Sequence, residues 1–198
     1  MKSQVKALLL LSLASLTLVG CVPTYSLVRA DKPVPAASGT MKVKPAVNWN
    51  KAPPGASSML KAEVWTQNGP VLDAIVFLGG VKDGTAIVQQ QKKEDRKVPV
   101  FQSAMTPQDL VAMVESYYRI RQGATIFETE NLKPTTFLNS KALDFSYHYV
   151  GSDNVKRRGR TVLAVIDQQL YLMTLDGAAY YFGAAQPQFE ALLASATR

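Results

Sequence analysis

The residue types that most often carry chemistry are scarce: the 198-residue chain has one cysteine, Cys21, and one histidine, His148. A lone thiol forms no intramolecular disulfide, so folding does not depend on oxidation. Zinc sites draw on clustered cysteine and histidine, and a protease-like triad needs a base beside a nucleophile; neither cluster can be assembled from these two residues. Gly79-Gly80 lacks the lysine and following helix of a phosphate loop. No internal repeat is present. The longest uncharged apolar stretch, residues 7–19, is bounded by Lys6 and Pro23, short of the roughly 20 residues a spanning helix requires. Charged residues make up 19% and apolar ones 47%, a balance that excludes a disordered chain and allows one packed core. The length fits one ordinary domain plus appendages.

The appendage at the amino end is legible. Lys2 and Lys6 precede a run of Leu, Ala, Ser, Thr and Val, the layout of a secretory signal peptide over residues 1–20. Its end, Leu18-Val19-Gly20-Cys21, resembles the lipobox of bacterial lipoproteins. The resemblance implies cleavage before Cys21, diacylglycerol on its sulfur and acylation of the new amino terminus. Each buried methylene contributes about 0.8 kcal/mol, so two or three chains hold durably where one holds weakly. Val22 follows the cysteine where inner-membrane retention favours Asp, which by the same resemblance implies the outer membrane, on its periplasmic side. Loss of Lys2 and Lys6 lowers the formal charge from +7 to +5, still mildly basic and attracted to anionic lipid or lipopolysaccharide phosphates. This compartment excludes nucleic acid as a partner.

Residues 21–58 are rich in Pro, Ala, Ser and Lys, with Pro33, Pro35, Pro45, Pro53 and Pro54, and read as a tether carrying at most a short strand around residues 41–47. The domain is expected over residues 59–198. Strand patterns at residues 62–66 and 71–78 flank Gln67-Asn68-Gly69-Pro70, a hairpin turn signal, and a further short strand is expected at 85–88. The polar stretch 89–97 reads as a solvated loop. Thr106-Pro107 with Asp109 opens a helix whose apolar stripe is Leu110, Met113, Val114, Tyr117 and Tyr118, closed by Gly123. Strands follow at 124–130, 135–138, 143–150, 161–166 and, after a tight turn at 167–169, 170–175. In 143–150 the apolar residues Leu143, Phe145, Tyr147 and Tyr149 alternate with Asp144, Ser146 and His148, as in an antiparallel sheet with one buried face. Pro187 is expected to open a second helix that docks Phe189, Leu192 and Leu193 on that sheet.

Candidate sites are few. Lys156, Arg157, Arg158 and Arg160 form the densest basic cluster, expected at a hairpin tip as a contact for phosphate, a sugar acid or an acidic protein face, with a merely solvated tip as the alternative. Glu128 with Glu130, or Glu94 with Asp95, have the chemistry for acid–base work only if held in a cleft; on a strand Glu128 and Glu130 share a face. His148 reads as a surface or edge residue. No metal, cofactor or catalytic set is expected.

From residue 62 onward the order of pieces resembles the PsbP-like fold: an early hairpin, a helix introduced by Met105-Thr106-Pro107-Gln108-Asp109-Leu110, antiparallel strands, and a terminal helix ending Phe189-Glu190-Ala191-Leu192-Leu193-Ala194-Ser195. It is similar to proteobacterial envelope lipoproteins of that type without an assigned activity and, more distantly, to DcrB-type lipoproteins. The resemblance implies an α+β domain, an antiparallel sheet of about six or seven strands with two main helices in an α/β/α sandwich, and brings no catalytic residues with it. The expected function is a non-enzymatic, lipid-anchored accessory or binding domain in contact with an envelope protein or anionic envelope component. The alternative is a small-ligand carrier or a hydrolase of envelope material, with its site near Tyr117, Tyr118 and Tyr149.

Overall fold

The computed structural model describes residues 24–90 and 97–198. The signal segment, Cys21 and the Glu94/Asp95 pair lie outside the described residues. Ten strands and two helices follow in the order β1 (Ser26–Val28), β2 (Val34–Ala36), β3 (Met41–Val43), β4 (Trp49–Lys51), β5 (Glu63–Thr66), β6 (Asp73–Lys82), α1 (Pro107–Arg121), β7 (Ile126–Phe137), β8 (Ser140–Val150), β9 (Lys156–Ile166), β10 (Gln169–Ala178) and α2 (Ala179–Ser195). Eight of the strands form one antiparallel sheet in the order β1-β4-β5-β6-β10-β9-β8-β7, and β2 and β3 make a separate ribbon.

The sheet is buried on both faces, as the side chains of β10 show. Tyr171, Met173 and Leu175 point toward α2 and the first four strands, where Phe182, Phe189, Leu192, Met41 and Trp49 cover them. Leu170 and Leu172 point the other way, into a layer with Leu110, Met113, Val114 and Tyr118 of α1. The period of two thus feeds two cores, and a helix stripe closes each. The first helix begins as its sequence predicts: Thr106 accepts from the Asp109 backbone while the Asp109 carboxylate accepts from the Thr106 backbone, with Pro107 at the first helical position. Two hairpins close through consecutive residues of positive φ, Leu138-Asn139 between β7 and β8 and Asp167-Gln168 between β9 and β10, the geometry that matches strand twist.

Several expectations need correction. The segment expected as a tether is folded from Thr24 onward: β1 and β4 extend the main sheet to eight strands, and Trp49, Met41, Val43 and Ala36 are fully buried. Its strands are three residues each, too short for a period to show, and its order comes from distant partners. Lys42 and Thr197 exchange backbone hydrogen bonds, and the Thr40 side chain lies against Gly79, where an added Cβ would sit 2.2 Å from Thr40 Oγ1. That close approach explains Gly79-Gly80 inside β6. Residues 85–88 make isolated bridges to Met59 and Val100 instead of a strand. The two strands expected around residues 124–138 are one long edge strand, β7, whose register shifts between Glu130 and Lys133. Its charges and Pro134 discourage pairing with another chain.

Helix α2 begins eight residues before Pro187, which lies inside it. Proline removes the bond to the carbonyl of Gly183, but Pro187 and Gly183 are both exposed, so water can satisfy that carbonyl.

The buried Trp49 distinguishes a folded amino-terminal segment from a tether. Trp49→Ala is expected to cost about 3–5 kcal/mol in chemical unfolding. Trp49→Phe should cost less than half as much, because the indole Nε1 is buried without a hydrogen-bond partner and its loss is no penalty. A tether would make both substitutions silent.

Candidate functional site

The basic run does not sit at a hairpin tip. Lys156, Arg157, Arg158 and Arg160 open strand β9, and the tip is formed by residues 151–155. Alternation along the strand therefore divides them between the two faces. Arg160 faces α2: its Nε and Nη2 donate to the two carboxylate oxygens of Asp144 at 2.8 Å each, its Nη1 reaches Glu190 of α2, and its guanidinium lies 5.8 Å from the Phe189 ring centre. These carboxylates hold Arg160 firmly protonated, led by the hydrogen bonds to Asp144. It ties β8, β9 and α2 together. Arg158 and Lys156 share that face but are exposed, with Arg158 over the Phe182 ring at 5.6 Å. Arg157 turns to the opposite face. Its Nη1 and Nη2 donate to Asp153 at 2.8 and 2.6 Å, and this pairing holds the Asp153 carboxyl well below the usual range. Only Lys156 and Arg158 present cations outward in the manner expected of the whole cluster.

Beside Arg157 lies a group that sequence reading approached from its tyrosines and missed at its centre. Asp176, near the end of β10, is the focus of Tyr147 and Tyr149 from β8 and Tyr118 from α1. Tyr149 donates to Asp176 Oδ1 at 3.0 Å and Tyr147 to Oδ2 at 3.5 Å, while the Tyr147 and Tyr118 hydroxyls share a hydrogen bond of 2.5 Å. The rings pack on one another, with Tyr118 and Tyr149 centres 4.8 Å apart and Phe127 stacked on Tyr147 at 4.9 Å. Gly159 makes this possible: it lies opposite Tyr147 in the sheet, and a Cβ there would fall 2.1 Å from Tyr147 Cζ. The phenol crosses β9 through the space of the missing side chain.

A cavity of about 200 Å³ opens beside this cluster, where α1 ends before the sheet does. Tyr117, Tyr118, Tyr149, Arg157, Thr174 and Asp176 form its polar side, and Met59, Val64, Pro70, Ala74 and Val76 its apolar side. Tyr117 accepts from Ser58 and from Gln122, each at 3.2 Å, which links the loop over the cavity to the helix end. Tyr117, Tyr118 and Tyr149 therefore border one cavity, whose polar side includes the Asp176 carboxylate.

Burial pushes the Asp176 carboxyl up to about 6, against the tyrosine hydroxyls and the Arg157 charge, which pull it down. Burial, with the Asp176 charge adding to it, also raises the hydroxyls of Tyr118, Tyr147 and Tyr149, so all three remain donors at neutral pH. A displaced carboxyl held by convergent hydroxyls at a cavity wall is the pattern that marks functional sites.

The other carboxylates lie elsewhere. Glu128 and Glu130 share a face of β7, and His148 of β8 stands between them, Nε2 at 3.0 Å from Glu128 and Nδ1 at 3.2 Å from Glu130. Glu128 is exposed and Glu130 and His148 are partly exposed, so the arrangement is a cross-strand surface cluster at the sheet edge, as the alternation of residues 143–150 implies.

Two outcomes test this geometry. For an acid whose folded pKa of about 6 exceeds the unfolded value of about 3.9, the folded state holds the proton longer. Stability is then fully present below about pH 4 and falls by roughly 3 kcal/mol as the pH rises to about 6. Asp176→Asn should abolish that fall in unfolding titrations and be the more stable form at pH 7.5; matching pH profiles for the two proteins would refute the assignment. Gly159→Ala should cost about 1–3 kcal/mol by overpacking Tyr147, and Tyr147→Phe in the same background should not restore it, because the clash is with the ring.

The sequence matches no protein-family model and no curated protein. Among solved structures, this chain is similar to the cyanobacterial PsbP (CyanoP) of Synechocystis sp. PCC 6803, with a TM-score of 0.51 and 13% identity over 93% of this chain and 98% of that one. A protein of unknown function from Pseudomonas aeruginosa, PA94, described as a putative regulator, gives 0.43 at 11% identity over 84% and 92%. LpqN of Mycobacterium tuberculosis, described as involved in cell envelope biogenesis, gives 0.41 at 10% over 89% and 83%. At such identities the likeness to CyanoP speaks for architecture alone: the eight-stranded antiparallel sheet between two helical layers is a PsbP-like fold.

Proposed function

We propose that the protein is a non-enzymatic binding domain of the bacterial cell envelope, held by lipid on Cys21 at the periplasmic side of the outer membrane. The observation that carries this reading is the short distance between the acceptor cysteine and the folded domain. Thr24 is the first described residue and β1 starts at Ser26. Three residues span at most about 11 Å, so lipid on Cys21 would hold the β1 edge of the sheet at the headgroups, without the standoff that a long tether would give.

The surface at that edge fits such a position. Tyr25 is 50% and Leu27 54% exposed, an aromatic and an aliphatic side chain beside the anchor, and Arg29 and Lys32 are exposed close by. Tyrosine favours the boundary where one end is apolar and the other wet, and basic side chains favour anionic headgroups. The exposed pair Lys156 and Arg158 then serves as the contact for an anionic envelope partner.

Metabolic labelling with a palmitate analogue tests the anchor. The wild type should carry label and sediment with outer membranes, and Cys21→Ser should be unlabelled and lose that association. Equal fractionation of unlabelled forms of both would overturn the placement. In cells, Lys156→Glu with Arg158→Glu should remove crosslinks that the wild type makes; an unchanged pattern would release the basic pair from the role.

A further inference from the structure

We infer that the cavity at the end of α1 binds a small organic ammonium ion, its nitrogen paired with Asp176 and its short apolar part against Met59, Val64 and Val76. This inference is independent of how the chain is anchored.

Charge decides the sign of the ligand. Two cationic or anionic groups compete for influence at the cavity, Arg157 and Asp176, and they are not paired with each other. The Arg157 guanidinium is engaged in two hydrogen bonds by Asp153, in the turn outside the cavity. Among the described residues no lysine or arginine makes an ion pair with Asp176; its hydrogen-bond donors are the neutral hydroxyls of Tyr118, Tyr147 and Tyr149. Arg157 partly offsets Asp176, but with Asp153 engaging the same guanidinium the three groups together carry one net negative charge. An ionised carboxylate offers about four acceptor positions, and the three tyrosines leave about one for a donor from the cavity. A carboxylate or phosphate ligand would meet repulsion there, and a neutral one would leave the half-buried charge without an ionic partner.

The aromatic walls favour the same sign. Tyr117, Tyr118 and Tyr149 all line the cavity, with the Tyr117 and Tyr118 ring planes at 81° and those of Tyr118 and Tyr149 at 49°. Aromatic faces attract cations, more strongly where water is excluded. The Arg157 guanidinium already lies 6.0 Å from the Tyr149 ring centre, at the cavity margin.

Size sets the limit. The cavity of about 200 Å³ is smaller than the roughly 300–1,000 Å³ of sites for drug-sized ligands. Set against about 30 Å³ per water, it has space for on the order of six or seven non-hydrogen atoms. An alkylammonium of about four carbons matches both the volume and the division of the walls into polar and apolar sides.

Calorimetric titration of the purified full-length chain with n-butylammonium and tetramethylammonium, beside n-butanol and butyrate, tests the inference. At least one ammonium should bind at least tenfold more tightly than both n-butanol and butyrate. Asp176→Asn should weaken it at least tenfold while retaining the native circular dichroism, and Ala74→Leu, which fills the cavity with the carboxylate intact, should abolish it. Gln186→Ala, at an exposed position of α2 across the sheet, should leave it unchanged. The inference is overturned if neither ammonium binds, which would mean that the cavity holds water only, if the neutral or anionic analogue binds as well, or if the Asp176→Asn protein binds as tightly as the wild type.

Discussion

Burial of the central strands on both faces is the constraint from which the rest of the architecture follows. Strands β6 and β10 along most of their length, and β9 from Val162 to Ile166, carry apolar residues on both faces, so neither face can be left to solvent. One helix cannot cover both. Helix α1 closes one side, and α2 closes the other only with help from the amino-terminal strands, whose Met41, Val43 and Trp49 complete the core over Trp65, Ile75 and Phe77. The first strands are thus part of the fold by necessity, and the ion group of Arg160 with Asp144 and Glu190 fixes α2 to β8 and β9.

The cavity arises from the same requirement. Helix α1 stops at Arg121, Gly123 turns the chain with φ of 60°, and the sheet continues beyond the cover. At that uncovered end the α1 side of the sheet changes from Leu170 and Leu172 to Thr174 and Asp176, and the hydroxyls of Tyr118, Tyr147 and Tyr149 fill the polar zone. A carboxyl there disfavours the folded state at neutral pH, since it must be ionised in surroundings poor in water. Stability alone would favour an apolar residue or an amide.

The anchoring proposed above and the cavity are compatible in space, because β1 contributes no residue to the cavity wall. The anchor-proximal strand β1 is the terminal strand beyond β4 and β5, while Asp176 lies on β10 and its tyrosines on β8 and α1. A domain held close to a bilayer through β1 would keep the far strands, with the exposed Lys156 and Arg158 at the start of β9, directed to other envelope components.

Local information was enough for the parts whose cause is local. The capping residues Thr106 and Asp109, the stripe from Leu110 to Tyr118, the alternation in β8 and the turns at Asn68-Gly69 and Asp167-Gln168 each act within a few residues, so the first helix and most of the sheet were legible before any contact was known. Half of the site was legible for the same reason, since periodicity alone placed Tyr117 and Tyr118 on an inward helix face and Tyr149 on an inward strand face. Asp176 was not, because it stands in an unremarkable strand end and acquires its environment from residues 27 and more positions away. Gly159 was hidden inside a basic run, and only the register of β8 against β9 reveals the phenol that needs its space. The same register, by assigning alternate residues to opposite faces, dispersed a cluster that is continuous in sequence. The sequence by itself determined the local elements; the tertiary structure alone decided which distant side chains share a cavity and that the proline-rich start of the chain is a layer of the core, because burial and electrostatic environment are sums over neighbours in space.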